Sequence, residues 1–203
     1  MCNIVTNWEN WVVGIFSSAI PMGITVLFGY LKWWQPYSRL KKMGVEKIFR
    51  NQEEGKQSIL TEIKSSNKLY VFAMRGETFS DKTNSRIAEV ALGRTDLKQH
   101  YLISSLDNEY LKSRANELED DDLIDSVRKS ISCLTRASKE HYNIKLRLHK
   151  EIVRFRIILL DNYLFLSFME EKRAKQTDIL KINKNSPLYK TFSTIFDELW
   201  GKY

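Results

Sequence analysis

Lys68-Leu69-Tyr70-Val71-Phe72-Ala73-Met74, followed by Arg75-Gly76-Glu77, is the stretch that sets the fold class. The first seven residues form an apolar, β-favouring run, and the next three break it. A strand with one wet face alternates, whereas a continuous run predicts a strand buried on both faces inside a layered sheet. Upstream, Gln57 to Lys64 carries Ile59, Leu60 and Ile63 at helical spacing and stops at Asn67, and Gly44 to Arg50 reads as a brief strand. Downstream, Ser85 to Gly93 predicts a helix and Gln99 to Ser105 a strand. A long charged helical stretch follows from Asn108 to His141, interrupted near the acidic run Glu119 to Asp122. Ile144-Lys145-Leu146-Arg147-Leu148 alternates as a half-buried strand should. Phe155 to Leu160 and Tyr163 to Phe168 are strands joined by the turn pair Asp161-Asn162, and Leu188 to Trp200 is a closing amphipathic helix. Strands alternating with helices predict an α/β layered domain.

The composition agrees with a folded chain. Of 203 residues, 12% are aromatic and 28% charged, which argues against a disordered tail and supplies one buried core. A net charge of +7 directs attention to nucleic acid, anionic lipid or an anionic small ligand. Cys2 and Cys133 make no disulfide framework, and Cys133 reads as a core residue. Glycine-rich phosphate loops, zinc cysteine pairs and Ser-His-Asp signatures are missing. His100, His141 and His149 show no metal-ligand spacing, so neither metal nor cofactor is expected.

The beginning of the chain reads differently. Trp11 to Leu31 runs for 21 residues without a charge, flanked by Trp8 and Trp11 on one side and Tyr30, Trp33, Trp34 and Tyr37 on the other. As a helix it would be about 31 Å long, close to the roughly 30 Å hydrocarbon core of a bilayer. Residues 32 to 50 hold six basic side chains against Glu46 alone, which predicts a cytoplasmic C-terminal bulk and contact with lipid headgroups. The expected division is therefore a transmembrane anchor over 1–36 and a cytoplasmic sensor domain over 37–203, in the inner membrane with a single pass. Gly14, Ser18, Ala19 and Gly23 form small-xxx-small pairs that suit helix association in a homo-oligomer.

Several segments of the domain resemble the phospholipase D-like superfamily. They are Gly44 to Phe49, Leu69 to Gly76, and Leu102 to Leu118 with its Asp-containing turn and Arg114-Ala115 helix. The family's catalytic signature is His-x-Lys-x4-Asp on a strand and the turn after it. Arg154-Phe155-Arg156-Ile157-Ile158-Leu159-Leu160-Asp161 keeps that spacing but replaces the nucleophilic His and the phosphate-holding Lys by arginines. A guanidinium has no free lone pair at any ordinary pH, so family-type hydrolysis is not expected. Arg154 and Arg156, at i and i+2, share one side of a strand and suit bidentate capture of an anion such as a nucleotide or phosphate. Asp161 completes the motif. Arg75, at the carboxyl end of the apolar strand, is a further ligand-binding candidate. The rival reading of the two arginines is a pair of surface charges balanced by Glu151 or Glu170.

Active members of that superfamily commonly pair two copies, and one copy here implies a homo-oligomer. By layout, the chain is similar to bacterial membrane effectors of antiphage defence, toxic proteins triggered by a regulatory protein or nucleoprotein partner. The leading expectation is accordingly a non-enzymatic, membrane-disrupting sensor and effector. Its rivals are a phosphodiesterase, nuclease or lipase of the phospholipase D-like class, for which His149 would be sensitive, and a membrane-tethered nucleic-acid-binding protein.

Overall fold

The computed structural model describes residues 38–118, 122–152, 154–168 and 178–203. Residues Met43–Tyr203 form one compact unit. Its strands are β1 (Val45–Phe49), β2 (Lys68–Ala73), β3 (Lys98–Ser104), β4 (Ile144–His149), β5 (Phe155–Leu160), β6 (Tyr163–Phe168) and β7 (Ile179–Asn183). Its helices are α1 (Gln52–Ser65), α2 (Glu77–Ser80), α3 (Arg86–Gly93), α4 (Glu109–Leu118), α5 (Asp122–Glu140) and α6 (Pro187–Lys202). The strands make one seven-stranded mixed sheet in the order β1-β7-β6-β5-β2-β3-β4. β2, β3 and β4 run parallel, and β5 joins β2 antiparallel. The hairpin neighbours β6 and β7, and then β1, extend the antiparallel half.

The apolar run that predicts a two-faced strand sits in the centre. Leu69 and Val71 are fully buried toward one layer, and Phe72 meets the opposite one. Helix α1 starts where Asn51 caps it, its side chain accepting from the Glu53 N–H at 2.9 Å. Gly55, Ile59 and Ile63 then recur every fourth residue and face the sheet. Gly55 eases this approach, because a Cβ there would come 2.5 Å from Ile179 Cδ1 and that side chain would have to shift. Helix α6 is capped by the Ser186 hydroxyl, which accepts from Tyr189 N–H, and begins with Pro187. It packs on the opposite face, where Phe196 is stacked 5.2 Å from Tyr70 and Phe192 meets Phe155 at 5.6 Å. The phenol of Tyr189 closes the layer by donating to the Leu160 carbonyl at 2.7 Å.

The fold class needs one correction. Among the described residues, no helix is long and apolar enough to cross a membrane. The described fold is accordingly a mixed α/β domain alone, in place of the expected membrane-spanning helix joined to it, and the single-pass inner-membrane placement is not carried forward. The stretch 11–31, the anchor assigned to 1–36, and Gly14, Ser18, Ala19 and Gly23 lie outside the described residues.

Candidate anion-binding site

Antiparallel register decides what surrounds the arginine pair. Phe72 pairs with Ile157, so the chain that continues from β2 through Arg75 runs out at the edge where β5 begins. Arg75, Arg154 and Arg156 are thus gathered at one end of the sheet. Arg75 is half-buried just past β2, and Arg154 is exposed just before β5. Arg156, in the second position of β5, is half-buried opposite Ser167 of β6. Its Nε donates to the Ser167 hydroxyl at 3.2 Å. Ser167 itself is buried, which fixes the stem of the guanidinium rather than merely touching it.

Arg156 has no carboxylate within ion-pair distance among the described residues. Glu151, one of the two acids expected to balance the arginines, is occupied elsewhere: Lys202 Nζ lies 2.5 Å from its carboxylate and the Tyr203 hydroxyl donates to it at 3.0 Å. Glu170 lies outside the described residues. Burial pushes the Arg156 guanidinium below its ordinary value, yet arginine remains protonated in proteins. The outcome is a cation held partly out of water, with one of five N–H donors committed to a hydroxyl. Among the described residues, its two terminal nitrogens make no hydrogen bond. An uncompensated charge in such a place is costly, and an incoming anion relieves that cost.

Asp161 does not join this site. It stands in the β5–β6 turn, five residues from Arg156 along an extended strand, or about 17 Å. There it accepts from the Asn67 backbone N–H at 2.7 Å and from Asn67 Nδ2 at 3.1 Å. Asp161 therefore holds the entry to β2, and the Arg-x-Arg-x4-Asp spacing spans the sheet instead of converging on one point.

His149 is equally far from the role a catalytic base would need. It is fully buried at the end of β4, its ring 4.8 Å from Phe72. The Glu151 N–H donates to its Nδ1 at 3.2 Å, so Nε2 carries the proton and donates to the Ala73 carbonyl, also at 3.2 Å. Burial lowers its pKa to about 4, with the Ala73 bond opposing. Both nitrogens of a neutral ring are thus committed to backbone. The ring also lies on the wrong side: Phe72 and its partner Ile157 face the α6 layer, so Arg156, next to Ile157, points the other way.

No family model matches the chain, and no curated protein matches it. A solved structure, that of TrmBL2, an archaeal chromatin protein with a novel mode of DNA binding, is similar at a TM-score of 0.45 and 13% identity. The match covers 97% of this chain and 65% of that one.

Ser167 is the site residue that sequence alone misses. A lone serine in an apolar strand carries no signal until the β5–β6 register sets it opposite Arg156. Among the described residues, no three His, Cys, Asp or Glu side chains are grouped closely enough to hold a metal ion.

Proposed function

We propose that this domain binds nucleic acid without cleaving it, and that Arg156 grips a backbone phosphate. One observation carries the reading: a half-buried guanidinium, aligned by Ser167, has no carboxylate partner among the described residues. Arg154 and Arg75 at the same sheet end add positive potential, and the net charge of +7 suits a phosphate-rich polymer over a neutral ligand. The reading keeps the phospholipase D-like resemblance as a fold whose catalytic strand has become a holding site. The membrane-disrupting effector has no support among the described residues. Hydrolysis finds no nucleophile at positions 154 and 156, and the His149 nitrogens are already spent.

The test is incubation of the full chain with end-labelled DNA and RNA oligonucleotides, followed by gel retardation and denaturing electrophoresis. Retarded strands that run at full length afterwards are expected, with inorganic phosphate weakening the complex. Shortened strands, or no retardation at low salt, would overturn the proposal.

A further inference from the structure

On the α6 side of the sheet, three neighbouring strands present a basic and aromatic surface. Register sets Lys68 beside Lys98, Tyr70 beside His100, His100 beside Lys145, and Leu102 beside Arg147. Because side chains two apart share a face, all four cations stand on the same side. The last turn of α6 ends over them. Trp200 is stacked on His100 with centroids 4.3 Å apart, and His100 is stacked on Tyr70 at 4.6 Å. Lys68 and Lys98 place their ammonium groups 5.7 and 5.8 Å from the Tyr70 centroid. The Arg147 guanidinium lies 4.6 Å from the Trp200 centroid and donates to the Trp200 carbonyl.

Contacts of cations with rings occur on many protein surfaces as simple decoration. Two facts set this surface apart. None of Lys68, Lys98, Lys145 and Arg147 has a carboxylate within ion-pair distance among the described residues, so the charge accumulates. His100, only 7% exposed, also keeps a buried Nε2 without a hydrogen-bond partner. Burial, and then Lys98, Lys145 and Arg147, lower its pKa to about 4, a local record of that positive potential. At the same strand end, in the turn before β4, Tyr142 is 89% exposed. Lys98 and Lys145 are exposed with it.

We infer that this face docks single-stranded nucleic acid, with phosphates on Lys68, Lys98, Lys145 and Arg147 and a base stacked on Tyr142. The charge selects a polyanion. The open ring selects unpaired bases, since stacking on a side chain requires a base free of its duplex neighbours. This face adds contacts to the nucleic-acid reading above and rests on it: one strand that reaches both this face and Arg156 loses affinity when either set is removed, while the Tyr142 effect belongs to this face alone.

Fluorescence anisotropy of the full chain with a labelled single-stranded 15-mer and a duplex of equal length tests it, with unlabelled polyphosphate as competitor. Lys98→Ala/Lys145→Ala should keep the thermal melting of wild type. Its binding should be weaker by about tenfold or more near 0.1 M salt, with a log–log salt slope shallower by about 1.4. Tyr142→Ala should weaken single-strand binding about tenfold while leaving the duplex unchanged. Arg156→Ala, measured in parallel, should leave the Tyr142 effect intact. Wild-type affinity and slope in the double lysine variant would overturn the inference. So would polyphosphate competing as well per phosphate as the oligonucleotide, together with a neutral Tyr142→Ala.

Discussion

His149 makes the stability of this domain depend on mild acid. Its ring titrates near 6.5 in an unfolded chain and near 4 in the fold, because burial disfavours the imidazolium. Between those values the unfolded chain binds a proton that the folded one refuses, so stability falls as pH falls. The contribution is intact above 6.5 and is lost progressively down to 4. At ~1.36 kcal/mol per pH unit, the single histidine removes about 2 kcal/mol between pH 7 and 5, and about 3 kcal/mol once pH 4 is passed. His100 acts in the same direction, its pKa lowered by burial and by Lys98, Lys145 and Arg147. The carboxylates whose values are lowered, such as Asp81 and Glu151, add losses at still lower pH. Urea denaturation at pH 7, 6, 5 and 4.5 measures the effect. His149→Phe costs stability at every pH, because it orphans the Glu151 N–H and the Ala73 carbonyl, but it should flatten the slope between pH 7 and 5. A wild-type stability that is level from pH 7 to 5, or an unchanged slope in the variant, would refute the burial argument.

Other expectations follow from single contacts. Asp161→Ala should lower stability by about 1–2 kcal/mol through loss of two bonds to Asn67, and leave nucleic-acid affinity unchanged in an anisotropy titration. Gly44→Ala should be among the more damaging single changes. Its φ of +89° disfavours any side chain, and a Cβ would fall 1.9 Å from that of Ser186, the cap of α6. A loss of about 2–4 kcal/mol is expected from chemical denaturation. Ser167→Ala frees the Arg156 stem and should weaken oligonucleotide binding severalfold, with a stability loss of about 1–2 kcal/mol for the missing bond.

The central strand β2 is legible because its apolar run has no alternation, and the turn Asp161-Asn162 places the β5–β6 hairpin correctly. The long charged stretch holds α4, which ends at Leu118, and α5, which begins at Asp122 of the acidic run. Helix α1 begins at Gln52, earlier than its apolar spacing indicates, although Asn51 followed by Glu53 and Glu54 is a readable cap. β7, Ile-Leu-Lys-Ile-Asn, escapes sequence reading. It is short and partly polar, and only its two antiparallel neighbours make it a strand. At the site, the place of Arg156 in β5 is legible from the apolar strand that follows it, while Arg154 stands just before that strand. The linear motif misleads about Asp161, because five residues of extended chain carry it to the other end of the sheet. Ser167 and the basic face around His100 depend on register across several strands, which no local pattern encodes.

The phosphate grip is tested most directly by one comparison: the dissociation constants of wild type and Arg156→Ala for the same single-stranded oligonucleotide at fixed salt. A charge-assisted contact is worth about 1.5–3 kcal/mol, so removal of the guanidinium should weaken binding roughly 10- to 100-fold with folding preserved. Arg156→Lys should fall between the two, since an ammonium keeps the charge and loses the planar fork. Equal dissociation constants for wild type and Arg156→Ala would contradict the account.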